Sequence, residues 1–405
     1  MNRLVVALSA LVVLLAAAFL AVRIMKVESF YREVAARAVA HLEAGEIDRC
    51  EALADYLAAA GRKREEAEVR KRLDEVKEKL ARVEEDFVPL LDDGNFEAAL
   101  AKADESGLSR PLKEYLRAKV YDRWGWIVVS ANLSGSYEIY ALRPDGSQCW
   151  RLTFNSCEEM NPDVSPDGNV IAYTRLKEDI DRTVALFDLN TGREKWLPVT
   201  GKTNLDPAFS PDGARIAYAA LFASYAYLYT YDFGSGEVLR LTRGVVVNQP
   251  AWSPDGKHII FEGVPKGVER TPIQIMMVSS DGSGEHPITA YRTGHSRDPA
   301  FAPDGEHFAF RRDDDIYIGV IGEGEPQPVS DPELTERQPS FSPDGRYLVY
   351  VAVVNGIDRL VRHDLRTGER FFFPPIGTGC QFPVWTRRLT LPPGAKKVSL
   401  PRPEE

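Results

Sequence analysis

The chain has 405 residues, of which 44% are hydrophobic and 27% charged, and this is an ordinary composition for a globular protein. Its formal net charge is −10, and no block of lysine and arginine is interleaved with aromatic residues. The composition therefore argues against a nucleic-acid-binding protein.

An apolar run opens the chain. Leu4 to Val22 contains only one polar residue, Ser9, and is long enough to cross the ~30 Å hydrocarbon layer as a helix. We expect residues 1–27 to form an uncleaved membrane anchor. A cleaved signal peptide is the alternative, with Ala16 to Ala18 as the cleavage site, although the run exceeds the ~7–15 apolar residues usual for such signals.

Residues 28–123 carry helical periodicity. The apolar positions from Val69 to Phe87 follow alternating steps of four and three residues, which predicts a long helix packed in a small bundle. Segments around Gly45 and Gly94 loosely resemble tetratricopeptide hairpins, and we interpret the region as a spacer or a partner-binding module. Two basic triplets, 62–64 and 70–72, stand beside glutamates, as on a solvated helix face.

One eight-residue phrase occurs five times in the second part of the chain. Each copy begins with a polar residue followed by proline and ends in Pro-Asp-Gly. The three residues between these two parts vary from copy to copy. The first prolines are spaced 45, 43, 49 and 40 residues apart, at Pro162, Pro207, Pro250, Pro299 and Pro339. This period is typical of a four-stranded propeller blade.

The end of each phrase predicts a tight turn between two strands. Proline presets φ, aspartate bonds its own backbone, and glycine adopts the left-handed conformation. We therefore assign a structural role to the turn residues, which are Asp167, Gly168, Asp212, Gly213, Asp255, Gly256, Asp304, Gly305, Asp344 and Gly345.

The chain ends supply one further blade between them. Residues 126–154 contain three predicted strands without an opening one, and Gln381 to Trp385 form an opening strand with no blade after it. Pro383 lies 44 residues after Pro339, which keeps the period. We therefore predict an all-β six-bladed propeller over residues 124–391, closed by pairing of the two ends, which removes exposed sheet edges. Residues 392–405 are expected to be a disordered tail.

The polar residue before each first proline takes the same place in successive blades. These residues should ring one mouth of the central channel, where loops on a rigid scaffold usually carry function. The alternative is that they only cap strand ends and hold water. The expected partner-binding rim comprises Asn161, Asp206, Gln249, Asp298, Gln338, Arg297 and Arg337.

Signals for catalysis or metal binding are absent from the sequence. The six histidines show no metal-ligand spacing, there is no Gly-x-Ser-x-Gly motif, and Asp313 to Asp315 fit a solvated loop better than a calcium loop. The four cysteines allow either a disulfide near the closing blade or free thiols. We expect no catalytic residue, no metal and no cofactor.

The repeated Pro-Ala-Phe/Trp-Ser-Pro-Asp-Gly, with strand ends such as Leu239-Arg-Leu-Thr242, resembles the propeller of the TolB family. The resemblance covers residues 126–391 and implies a periplasmic, non-enzymatic propeller that docks protein partners of the cell envelope. The retained anchor and the helical section differ from that family. We expect a scaffold anchored in the inner membrane with its propeller in the periplasm or outside, or else a secreted periplasmic protein. A sugar or peptide sensor, hydrolase or lyase that uses the same funnel is the alternative function.

Overall fold

The computed structural model describes residues 25–133, 135–155, 157–177, 181–198, 203–222, 225–243, 247–265, 272–329 and 333–400. The apolar run Leu4 to Val22, expected to be an anchor, lies outside these residues. None of the helices in the described ranges combines the length and the apolar composition that a membrane crossing requires. The chain divides into two compact units, Met1–Val120 and Tyr121–Glu405.

The first unit is helical, as its periodicity predicts. Its helices are α1 (residues 25–43), α2 (Ile47–Ala59), α3 (Lys63–Asp92), α4 (Phe96–Glu105) and α5 (Arg110–Trp124), which continues into the second unit. Val69, Leu73, Leu80, Val83 and Phe87 on α3 are buried, so the apolar positions of the four-three spacing face the core. Tight turns join successive helices, and Gly45 and Gly94 lie in two of them with φ of +78° and +66°.

The second unit is a propeller of six antiparallel sheets. Blade 1 contains β1 (Trp126–Ala131), β2 (Glu138–Leu142) and β3 (Cys149–Arg151), with β24 (Cys380–Thr386) inside and β25 (Lys396–Val398) outside. Blade 2 is β4 (Glu159–Val164), β5 (Val170–Lys177), β6 (Asp181–Asp188) and β7 (Arg193–Trp196). Blade 3 is β8 (Thr203–Phe209), β9 (Arg215–Phe222), β10 (Tyr225–Asp232) and β11 (Val238–Arg240).

The remaining blades follow in chain order. Blade 4 is β12 (Val247–Trp252), β13 (His258–Gly263), β14 (Gln274–Ser279) and β15 (His286–Pro287). Blade 5 is β16 (Ser296–Phe301), β17 (His307–Arg312), β18 (Asp315–Val320) and β19 (Glu323–Pro328). Blade 6 is β20 (Thr335–Phe341), β21 (Tyr347–Val354), β22 (Ile357–Asp364) and β23 (Arg370–Phe372).

The predicted closure of the ring is confirmed. β24, the last inner strand, pairs antiparallel with β1, so that Cys380 lies opposite Ala131 and Thr386 lies opposite Trp126. Blade 1 is therefore built from both extremities of the propeller sequence, and all six inner strands have a partner.

The prediction of a disordered tail over residues 392–405 is wrong for β25. After β24, residues 387–398, here called the C-terminal strap, run past the turn of blade 2 and end as a fifth strand on β3. Thr390 donates from its backbone N–H to Gly168 O at 2.8 Å, and Leu389 and Leu391 pack against the core of blades 1 and 2. The strap is ordered because its last residues pair with the free edge of β3 and its leucines pack against the apolar core.

The Pro-Asp-Gly turns have the expected chemistry. In blade 2, Asp167 Oδ1 accepts hydrogen bonds from Ser165 Oγ at 2.6 Å and from the backbone N–H of Asn169 at 3.0 Å. The same pair of bonds recurs at Asp212, Asp255 and Asp344, and the glycines of all five turns have φ between +70° and +75°. These carboxylates hold the turns together.

Candidate functional site at the channel mouth

Six equivalent residues at one end of the inner strands share a left-handed backbone conformation. Each precedes the first proline of its phrase, and together with that proline it is bypassed in the pairing with the second strand. Their φ values are 53° at Asn161, 54° at Asp206, 48° at Gln249, 53° at Asp298, 57° at Gln338 and 52° at Phe382. Such strain in non-glycine residues persists only where the surrounding structure holds it, and it concentrates at functional sites.

This ring of residues surrounds a cavity of about 370 Å³. Five of the seven predicted rim residues line it, namely Asn161, Asp206, Gln249, Asp298 and Gln338, and Phe382 completes the ring. The sequence reasoning missed Phe382 because its side chain is not polar, although the proline that follows it marks the position. We call this ring the channel mouth.

Arg297 and Arg337, the other two predicted rim residues, are not among the residues that line the cavity. Each instead forms an ion pair. Arg297 Nη1 lies 3.9 Å from Glu262 Oε2, and Arg337 Nη2 lies 2.6 Å from Asp358 Oδ1. Their charges are thus compensated by carboxylates of second and third strands.

Hydrogen bonds connect the channel mouth from blade to blade. The backbone N–H of Gln249 donates to Asp206 Oδ2 at 3.0 Å, that of Gln338 to Asp298 Oδ2 at 3.2 Å, and that of Phe382 to Gln338 Oε1 at 2.9 Å. Asn161 Nδ2 donates to Asp206 Oδ1. These residues therefore do cap neighbouring strands. Gln249 is the exception, since its buried Oε1 has no hydrogen-bond partner among the described residues.

Carboxylates concentrate on blades 3 to 5 of the channel mouth. Burial raises the pKa of Asp206 to about 6. The negative charge of Asp298 also raises this pKa, whereas the hydrogen bond from the backbone of Gln249 lowers it. Glu262 on β13 is 2% exposed and accepts a 2.8 Å bond from the backbone N–H of Asp298. Burial and the Asp298 charge raise the pKa of Glu262 above its usual range. Arg311 Nε lies 2.9 Å from Asp298 Oδ2 and offsets part of this negative charge.

Below the channel mouth, small side chains line the cavity two residues further along each inner strand. They are Asp163, Ala208, Ala251, Ala300, Ser340 and Val384. Asp163 is the charged member of this layer. Its Oδ2 accepts a 2.6 Å bond from the backbone N–H of Phe209, and burial raises its pKa to about 6. The sequence reasoning missed Asp163 because four of the other phrases have alanine or serine there.

Other chemistry-bearing residues remain apart from the cavity. His307 Nδ1 contacts Asp304 Oδ2 at 2.7 Å within its own turn, and the backbone N–H of His295 donates to Asp313 Oδ1. All four cysteines are free thiols. Within the described ranges, no group of three or more histidine, cysteine, aspartate or glutamate side chains could hold a metal ion.

The closed ring of six sheets and the polar mouth on its channel define a six-bladed β-propeller with a cavity on its axis. The family model described as the TolB beta propeller domain matches residues 119–389, and the chain belongs to this family.

Curated relatives and one solved structure are similar to parts of this chain. The chain is 29% identical over 162 residues to a Protein TolB homolog of Chlorobium luteolum, a match that covers 39% of this chain and 36% of that protein. It is 28% identical over 205 residues to the "Uncharacterized peptidase YuxL" of Bacillus subtilis, a match that covers 49% of this chain and 30% of that protein. The chain thus spans about a third of the length of these curated relatives. A crystal structure of TolB from Acinetobacter baumannii shares the fold, with a TM-score of 0.58, 22% identity, and coverage of 71% of this chain and 72% of that one.

Proposed function

We propose that this protein is a non-enzymatic, membrane-anchored scaffold of the cell envelope whose channel mouth binds a segment of a partner protein. The observation that carries the proposal is the ring of strained residues around the cavity on the propeller axis. Membership of the TolB propeller family and the similarity to a Protein TolB homolog support a protein-binding role in the envelope.

The cavity has the size and chemistry for a short polypeptide segment. Its volume of about 370 Å³ lies in the lower part of the ~300–1,000 Å³ range of ligand pockets. Asp206 and Gln249 offer oxygen atoms on adjacent blades, and the buried Gln249 Oε1 lacks a donor among the described residues. A segment that brings N–H groups to these oxygens satisfies an otherwise costly buried acceptor.

The cavity lining favours binding over catalysis. Among its described residues there is no histidine, cysteine or lysine beside a hydroxyl or a carboxylate. The hydroxyl of Ser340 accepts a 3.1 Å bond from the backbone N–H of Trp385, which is a structural use. Nucleophilic catalysis requires a nucleophile next to an activating base.

The apolar run Leu4 to Val22 is long enough to anchor the chain in a bilayer. We propose that this bilayer is the inner membrane and that the propeller lies in the periplasm or outside. The alternative within this proposal is secretion to the periplasm after cleavage. A topology assay with reporter fusions after residue 30 and after residue 400 distinguishes an anchored extracytoplasmic propeller from a cytoplasmic one. Reporter activity only in the cytoplasm would refute the proposed location.

Selection of linear peptides from a display library tests the binding site. We expect peptides selected on the wild-type protein to bind the double variant Asp206→Asn, Gln249→Ala at least ~10-fold more weakly, because two polar contacts worth about 1 kcal/mol each are lost. The control is Glu237→Gln, Glu323→Gln, at two exposed glutamates that lie directly before the outer strand of blade 3 and at the start of the outer strand of blade 5. Equal binding by both double variants would refute the channel mouth as the site.

A further inference from the structure

The turn between α2 and α3 carries a basic triplet that the channel-mouth function does not use. Arg62 is the residue before α3, and Lys63 and Arg64 begin the helix. Positive charges are disfavoured at a helix N-terminus, where the unpaired N–H groups are already positive. Arg62 also makes no side-chain capping bond there. Glu65 and Glu66 in the same first turn offset part of this charge. The helix dipole itself does not favour the triplet, and departures from such local rules concentrate at functional sites.

This triplet forms fewer ion pairs than the second basic triplet, 70–72, on the same helix. Arg70, which begins the second triplet, forms ion pairs with Glu66 and with Asp55, both at 2.8 Å. Among the described residues, Arg62, Lys63 and Arg64 form no ion pair with a carboxylate, and the Nε and Nη2 atoms of Arg62 are buried without an acceptor. Arg70 thus occupies two of the carboxylates close to the triplet, Asp55 and Glu66.

Aromatic and apolar side chains adjoin the basic turn. The guanidinium of Arg62 stacks over the ring of Tyr31 on α1 at 4.3 Å, and Tyr31 lies 5.3 Å from Phe30 and 6.4 Å from Tyr56 between ring centroids. Phe30 and Tyr56 are 50% and 47% exposed. The first six residues of α1, 25–30, are exposed on every side and include Met25 at 60%. Basic, aromatic and apolar groups thus share one end of the helical bundle.

The apolar run ends close to this surface along the chain. Residues 25–31 of α1 rise about 9 Å as a helix, and the three residue steps from Val22 to Met25 span at most about 11 Å. Tyr31 is therefore within about 20 Å of the end of the run. A bilayer's headgroup region adds about 5–8 Å to each side of its hydrocarbon core, and electrostatic attraction extends a further ~8–10 Å.

We infer that Lys63 and Arg64, with Phe30 and Tyr56, form a docking surface for the anionic headgroups of the bilayer at which the apolar run ends, while Arg62 stacks on Tyr31 beside them. The inference rests on the proposed membrane anchoring. Arginine and lysine attract anionic lipids, while tyrosine and phenylalanine suit the interfacial layer between water and hydrocarbon. The surface would fix the helical unit against the membrane.

Hydrogen exchange on the full chain in lipid vesicles tests this surface. The vesicles are either phosphatidylcholine alone or an equal mixture with phosphatidylglycerol. We expect the amides of residues 60–66 to exchange about fivefold more slowly in the mixed vesicles, the effect of one basic residue at an anionic surface, and high salt to remove the difference. Lys63→Glu, Arg64→Glu should abolish the slowing. The matched control, Lys71→Glu, Arg72→Glu, makes the same charge change further along α3 and should retain it.

Three results would overturn the inference: equal exchange in both kinds of vesicle, equal loss in both double variants, or the same slowing by inorganic phosphate without vesicles, which would identify a soluble anion as the ligand.

Flotation with neutral vesicles separates this inference from the anchoring on which it rests. A chain that floats but shows no dependence on lipid charge refutes the surface alone. A chain that does not float refutes the anchoring, and the surface is then supported only by salt-sensitive slowing in the mixed vesicles.

Discussion

The indole Nε1 of Trp385 donates a 2.7 Å hydrogen bond to the carbonyl oxygen of Trp124. Trp385 lies on the last inner strand, β24, and Trp124 lies two residues before β1, so the bond joins the two chain ends that form blade 1. Both tryptophans are buried, at 6% and 1% exposure. Trp124 also packs against the Arg362 guanidinium at 4.9 Å and the Tyr347 ring at 6.0 Å. The last turn of α5 is thus part of the propeller.

The start of a truncated propeller should therefore determine its stability. A fragment that starts at residue 126 lacks Trp124, and we expect it to lose about 3–5 kcal/mol, the usual effect of removing a buried large aromatic side chain. A fragment that starts at residue 119 retains Trp124 and should unfold at a higher urea concentration. Equal urea midpoints for the two fragments would show that Trp124 is not needed for closure.

The channel mouth offers a matched pair of glutamines. Gln338 and Gln249 have the same backbone conformation, but Gln338 Oε1 accepts a bond from the backbone N–H of Phe382, whereas Gln249 Oε1 has no partner among the described residues. Gln338→Ala leaves a part-buried N–H without its acceptor, which costs about 1–3 kcal/mol. We expect Gln249→Ala to cost less than Gln338→Ala in urea unfolding. The opposite order would argue against a structural role for the bonds between blades.

The C-terminal strap can be tested through Gly168. A Cβ at this position would lie 2.6 Å from the carbonyl carbon of Arg388 in the strap, whereas a Cβ on the equivalent Gly213 would meet nothing closer than Pro166 at 3.5 Å. Both glycines have positive φ, so alanine at either costs about 1–2 kcal/mol in backbone strain. Gly168→Ala should lose about 2 kcal/mol more, the scale of one displaced leucine. It should also expose residues 387–398 to proteolysis, while Gly213→Ala leaves their cleavage rate unchanged.

The sequence predicted the features that depend on repetition and missed those that depend on proximity. The proline spacing located the blades and, through Pro383, the closure. Phe382 was missed because its side chain is not polar, although the repeat places it in the ring. The ordered strap was not predicted, because it forms where residues distant in sequence meet. The ion pair of Arg297 with Glu262 was missed for the same reason, since it forms across two adjacent blades. Residues at the same position of successive repeats can be identified from the sequence. The sequence does not show which of them already form ion pairs or hydrogen bonds with other blades.

Glu159 gives the propeller a pH-dependent stability. Its side chain is fully buried and accepts hydrogen bonds from Thr153 Oγ1 and Asn155 Nδ2. Burial raises its pKa from 4.5 to about 7, because desolvation of the ionised form outweighs these bonds, and the charges of Glu194 and Glu138 add to the rise. The unfolded chain releases this proton near pH 4.5, while the folded chain holds it to about pH 7. Folding therefore takes up a proton between these values, and stability falls as the pH rises through that window.

The rise in the pKa of Glu159 corresponds to a change of about 3 kcal/mol in the free energy of unfolding, because each pKa unit contributes about 1.4 kcal/mol. In Glu159→Gln the side chain does not titrate, so this contribution is lost. Relative to the wild type, we expect this variant to gain up to about 3 kcal/mol in urea unfolding between pH 4 and pH 8, with the gain confined to the range from about 4.5 to 7. The control is Glu237→Gln, a change at an exposed glutamate, whose stability should follow that of the wild type. Parallel curves for the wild type and Glu159→Gln across this range would mean that Glu159 is not held protonated in the folded propeller.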